Sequence, residues 1–126
     1  MKERRETERL WAREKYRVMY HSQQHYNRLR EALKRGAGIT EVRGLIEDAV
    51  AVPPTKGSMM NAFDHIWGYF KKECIVAERD RYANMKKEFK AGNLTEEEML
   101  DYLKSLAILY QQKYLLDSTM LFPAFN

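Results

Sequence analysis

Between Asn61 and Lys71 the chain runs Asn-Ala-Phe-Asp-His-Ile-Trp-Gly-Tyr-Phe-Lys, and as a helix this segment carries two chemistries on opposite faces. At about 100° per residue, Phe63, Ile66, Trp67, Phe70, Cys74 and Ala77 form one apolar stripe, which predicts core. Asn61, His65, Gly68, Lys72 and Arg79 line up across from it, joining an amide, an imidazole and two cations around a glycine, the poorest ordinary helix former. Such a line is either a close helix contact or the floor of a small binding site. His65 is the residue type suited to general acid or base work, with Tyr69, Lys71 or Lys72 as electrophilic helpers. The structural alternative is an imidazole hydrogen-bonded to Asn61 or to a tyrosine hydroxyl between packed helices.

Lys15 is the second unusual position. On the same wheel it falls among Trp11, Val18 and Met19, so its ammonium must snorkel to water, pair with an acid such as Asp64 or Glu73, or face an anionic ligand. His21 and His25 are four apart, a spacing that also serves metal ligation, with Asp64 or His65 to complete a site. Without the glutamate of a zincin motif the pair is a weak signal, and no metal is expected. Arg4, Arg5, Arg9, Arg13 and Arg17 set a basic edge that a nucleic-acid backbone could use, but Glu3, Glu6, Glu8 and Glu14 interrupt it. A solvated charged helix explains the pattern better.

These residues must be positioned by helices. The 126 residues fit one domain, and no alternating strand pattern, repeat or low-complexity tract occurs, which predicts an all-α bundle of four to five helices. A first helical run from about Thr7 to Lys34 contains no glycine or proline, although Ser22 could cap a new helix within it. Thr40 is the expected N-cap of a short helix ending near Ala51, before the Val52–Gly57 loop with its two prolines. Ser58 is expected to cap a long helix through Ala91, with Gly92 and Asn93 as its stop. Thr95 and Glu98 form a capping-box pattern opening the last helix, whose inward stripe is Met99, Leu103, Leu106, Tyr110 and Tyr114 and which runs to Leu116. The apolar tail around Pro123, with Met120, Leu121, Phe122 and Phe125, is expected to fold back onto the bundle.

The net charge of +4 comes from 22 basic and 18 acidic residues, which permits phosphate contact without demanding it. The single cysteine, Cys74, leaves no disulfide framework, thiolate zinc site or cysteine-held iron–sulfur cluster. The charged start is unlike a signal peptide, and no segment approaches the roughly 20 apolar residues of a membrane span, so a cytoplasmic protein is expected.

Lys15, the Met19-Tyr20-His21-Ser22 run, Tyr26 and Leu29, then Asn61 with His65 through Lys71, then Tyr114, Leu115 and Pro123, form an ordered set. In this order the chain resembles the YbgA-like domain, a bacterial and archaeal family of unknown function, from Leu10 to Pro123. The resemblance assigns Lys15, His21, Tyr26, Asn61, His65, Gly68, Tyr69 and Lys71 to the family's signature positions. It departs after Leu115, where Asp117 and Ser118 stand in place of the family's glutamines. The family domain often follows one similar to thiouracil desulfurases, whose cysteines hold an iron–sulfur cluster. The resemblance therefore implies an accessory or recognition role in sulfur-modified nucleobase or RNA chemistry, with a desulfurase-like protein in trans and a nucleoside or RNA as ligand. Lys15, His21, Tyr26, Asn61, His65, Tyr69 and Lys71 are the candidate ligand-binding residues of a polar pocket between the first and third predicted helices. His65 is the candidate catalytic residue of the alternative, a small enzyme, and no cofactor is expected.

Overall fold

The computed structural model describes residues 2–123, and the helices account for nearly every position that the periodicity assigns to a core. In order they are α1 (Lys2–His21), α2 (Gln23–Lys34), α3 (Ile39–Val50), α4 (Lys56–Trp67), α5 (Val76–Lys90), α6 (Glu96–Leu109) and the single turn α7 (Lys113–Leu116). The all-α bundle holds, with seven helices among the described residues instead of four or five, because long runs are cut by local hydrogen bonds.

Ser22 makes the first cut. Its backbone is extended (φ −162°, ψ 116°) and its hydroxyl accepts the His25 N–H at 3.2 Å, so it ends α1 and caps α2. Gly36, at φ 82°, closes α2, with Ala37 N–H reaching back to the Ala32 carbonyl. The cap of α3 is Gly38 and not Thr40, since a carboxylate oxygen of Glu3 from α1 accepts the Ile39 N–H at 3.4 Å. Thr55, not Ser58, caps α4: the Thr55 hydroxyl accepts the Ser58 N–H at 3.0 Å, and the Ser58 hydroxyl accepts the Thr55 N–H at 2.9 Å.

The largest departure lies at Gly68. The expected helix from Ser58 to Ala91 is two helices, with α4 ending at Trp67 and the chain tightening beyond it through Tyr69 N–H to Ile66 O (3.1 Å) and Phe70 N–H to Trp67 O (2.9 Å). Glu78 then opens α5 by accepting the Ile75 N–H at 3.1 Å. This break ends the predicted stripes: Phe63, Ile66, Trp67 and Phe70 are buried, Cys74 is half-buried and Ala77 is exposed. The predicted α6 runs from its Thr95–Glu98 cap as expected but stops at Leu109. Gln111 takes a left-handed φ of 51°, and the Gln112 N–H returns to the Ala107 carbonyl, a glycine-type ending without glycine.

Packing centres on α1, which lies against α2, α3 and α4, while α6 packs on α4, α5 and α7. Val18, Leu29, Val42, Phe63, Ile66, Phe70, Leu103 and Leu115 are fully buried between them. The tail folds back as expected as far as it is described: Leu121 is fully buried and Thr119 donates its N–H to Arg13 O at 3.0 Å. Phe125 lies outside the described residues. No helix is long and apolar enough to cross a membrane among the described residues.

Candidate functional site

Four tyrosines from four different elements converge on one side of α1. Tyr16 on α1 is buried, and its hydroxyl lies 2.7 Å from that of Tyr69, in the turn after α4, so one phenol donates to the other. The Tyr16 and Tyr69 rings meet edge-on at 5.9 Å, and Tyr69 stacks on Tyr114 of α7 at 6.0 Å with 18° between planes. Tyr26 of α2 completes the group and packs its ring 5.5 Å from that of Trp11. Gly68 keeps a helical backbone (φ −52°, ψ −26°), so Tyr69 stays near the register of α4, on the side of buried Ala62 and Ile66.

Burial, then the hydrogen bond to Tyr69, holds the Tyr16 phenol far above the usual tyrosine range, and the neighbouring phenols add to the shift. Burial also raises Tyr26, partly offset by the Arg30 guanidinium lying 6.0 Å from its ring. Tyr114 is raised by burial and by its proximity to Tyr69 and Tyr26. Tyr16, Tyr26 and Tyr114 are therefore neutral at physiological pH and present π-faces and hydroxyls, not phenolates.

Beside this group opens a cavity of about 860 Å³ between the first half of α1 and the end of α2. Trp11, Leu33 and Tyr114 supply its apolar wall, and Glu3, Arg4, Glu8, Arg30, Lys34 and Arg35 its charged rim. Trp11 and Tyr114 thus join the cavity to the tyrosine group. A second cavity of about 510 Å³ lies on another side of α2, lined by Gln24, Asn27, Arg28 and Glu31.

The residues singled out from sequence fall into two sets. Tyr26 and Tyr69 belong to the tyrosine group, and Lys15 stands at its edge, with Nζ 5.5 Å from the Tyr16 ring centroid. Lys15 is half-buried and has no carboxylate partner among the described residues. Asp64, one expected partner, instead accepts from the Tyr82 hydroxyl at 2.8 Å and from Lys86 Nζ at 2.9 Å, which ties α4 to α5. The other set is engaged elsewhere. His21 donates from Nδ1 to Val52 O at 2.8 Å, bracing the loop before α4. Asn61 donates to Gln23 Oε1 at 2.6 Å, linking α4 to α2. His65 is exposed and donates from Nδ1 to its own helix at Asn61 O (2.8 Å). Lys71 is exposed in the turn.

One expectation fails on this geometry, and one weak alternative finds no support. Gly68 is exposed, and a Cβ added there would meet the carbonyl of His65 at 3.1 Å in its own chain segment rather than a facing helix, so it is neither a close helix contact nor a floor. His21 and His25 share no helical face, because Ser22 separates their helices and His25 Nδ1 pairs with the Ser22 hydroxyl at 2.8 Å. No group of three or more histidine, cysteine, aspartate or glutamate side chains could hold a metal among the described residues. Tyr16 and the cavity wall of Trp11 and Tyr114 carry no sequence signal of a site; the available hint is eight tyrosines against five phenylalanines, an excess of hydroxyls that a helical core must satisfy.

Comparison with known families adds to this geometry. The family model described as "Protein of unknown function (DUF1722)" matches residues 15–124. The chain belongs to the DUF1722 family. The YbgA-like domain falls within it, as the signature residues indicate. No curated protein and no solved structure matches the chain. The family match includes all four tyrosines and the cavity-lining Arg30 and Lys34 of α2, whereas Trp11, Arg4 and Glu8 precede it.

Proposed function

We propose that this DUF1722 chain is an accessory ligand-binding module, and that the cavity beside the tyrosine group takes a planar, nucleobase-like molecule. The observation that carries this is the aromatic wall: Trp11 and Tyr114 face a cavity of about 860 Å³, within the size range of ligand sites, and are backed by Tyr26 and Tyr69. Stacking on aromatic faces is tolerant of base identity and needs no ionised phenol. Lys15 stands beside Tyr16 and does not line the cavity. The link to sulfur-modified nucleobase or RNA metabolism, with a desulfurase-like protein acting in trans, rests on the company that YbgA-like domains keep.

Nuclear magnetic resonance on the full chain tests the reading. Uridine and 2-thiouridine should shift the indole N–H of Trp11 saturably, while that of Trp67, buried and stacked 4.4 Å from Tyr82, stays in place. Absence of a saturable Trp11 shift with nucleosides and nucleotides refutes it. One observation favours a second reading, general acid–base chemistry at His65: its ring is exposed and held by the Nδ1 bond to Asn61 O. The two readings separate on His65→Ala, which leaves nucleoside binding unchanged under the first.

A further inference from the structure

The rim charges of the cavity are not equivalent. Arg4 pairs with Glu8 at 3.4 Å, and Arg35 forms a charge-assisted pair with Glu41. Arg30 and Lys34 line the same cavity, are exposed, and have no carboxylate partner among the described residues. They are four apart on α2 and so share one face of it. Glu31, the nearest acid in sequence, lines the other cavity instead. The end of α2 favours cations through its dipole, which accounts for basic residues there but not for two of them facing a cavity with an aromatic wall. Arg30 is also held in place, its guanidinium 6.0 Å from the Tyr26 ring.

We propose, resting on the reading of this cavity as a ligand site, that it recognises a phosphate joined to a planar base, with the base against Trp11 and Tyr114 and the phosphate between Arg30 and Lys34. That chemistry belongs both to a free nucleoside monophosphate and to a nucleotide at the end of single-stranded RNA. Guanidinium and ammonium groups supply charge-assisted donors to the phosphate oxygens, and an unpaired cation loses no existing ion pair on binding.

Titration of the full chain with uridine, uridine 5′-monophosphate and inorganic phosphate, read by the Trp11 indole signal and by calorimetry, tests the proposal. The monophosphate should bind about tenfold or more tighter than the nucleoside, and the advantage should shrink as salt is raised. Arg30→Gln with Lys34→Gln should abolish that advantage, bringing the monophosphate to the affinity that uridine has for the same variant, with folding checked by circular dichroism. Arg79→Gln with Lys87→Gln, both exposed on α5 and outside the cavity lining, should change neither affinity. A short single-stranded RNA bearing a 5′-phosphate distinguishes the sources: tighter binding than the mononucleotide assigns the site to RNA ends, and equal or weaker binding assigns it to free nucleotides. If uridine binds and its monophosphate binds no tighter, the phosphate site is overturned while the ligand-binding reading stands. Loss of the advantage in the Arg79→Gln, Lys87→Gln variant to the same degree also overturns it, because the effect would then be net charge alone. If neither nucleoside nor nucleotide binds, both fall.

Discussion

Tyr69→Phe should destabilise the protein more than Tyr16→Phe, although the two remove the same hydrogen bond. The Tyr16 side chain is 5% exposed, and the Tyr69 hydroxyl, 2.7 Å away, is the partner its own hydroxyl has. Removing the Tyr69 hydroxyl strands a buried donor, which costs about 1–3 kcal/mol. Removing the Tyr16 hydroxyl leaves Tyr69, which is half-buried and accessible to water, so the loss is nearer the net value of a hydrogen bond, about 0.5–1.5 kcal/mol. The double variant strands nothing and should be no less stable than Tyr69→Phe alone. Urea unfolding at neutral pH measures all three. A loss of about 2 kcal/mol also lowers the melting temperature by roughly 6–10 °C for a domain of this size. Equal costs for the two single variants, or a double variant equal to their sum, would refute the buried phenol pair, since independent surface hydroxyls would behave that way.

Alkaline stability follows from the same burial. Tyr16 and Tyr82 are held far above the usual tyrosine range, chiefly by burial, and burial pushes Tyr20 up to about 12. The unfolded chain ionises these phenols near pH 10 while the folded one keeps them neutral, so their contribution is intact below pH 10 and is lost as pH rises above it. The three together predict a fall of up to about 4 kcal/mol per pH unit between pH 10 and 12, measurable as chevron-free equilibrium unfolding in urea at stepped pH; a flat profile there contradicts the burial. Gly68→Ala should change stability by less than about 1 kcal/mol, because the helical φ of −52° suits alanine and only the His65 carbonyl must give way. A loss above about 2 kcal/mol in thermal unfolding would restore a close contact at this glycine.

Patterning alone determined the all-α class, the buried stripe of Phe63, Ile66, Trp67 and Phe70 and the Thr95–Glu98 cap, because each depends on residues within one or two turns of each other, whereas it left the cut at Ser22 open and the structure decided it. Tertiary structure decided where the other helices begin and end. Glu3 on α1 caps Ile39, 36 residues away, and Gln111 is held in a left-handed turn without the glycine that would signal it. Tyr69 shows the difference most clearly. Sequence placed it beside His65 on one helix, but tertiary packing brings Tyr16 of α1 and Tyr114 of α7 to it, the first from 53 residues away. The cavity wall has the same origin, since Trp11, Arg30 and Tyr114 belong to three helices and share no local pattern. Periodicity records which side of a helix is apolar; it carries no record of which polar atoms, from distant segments, a buried hydroxyl or an unpaired cation will meet.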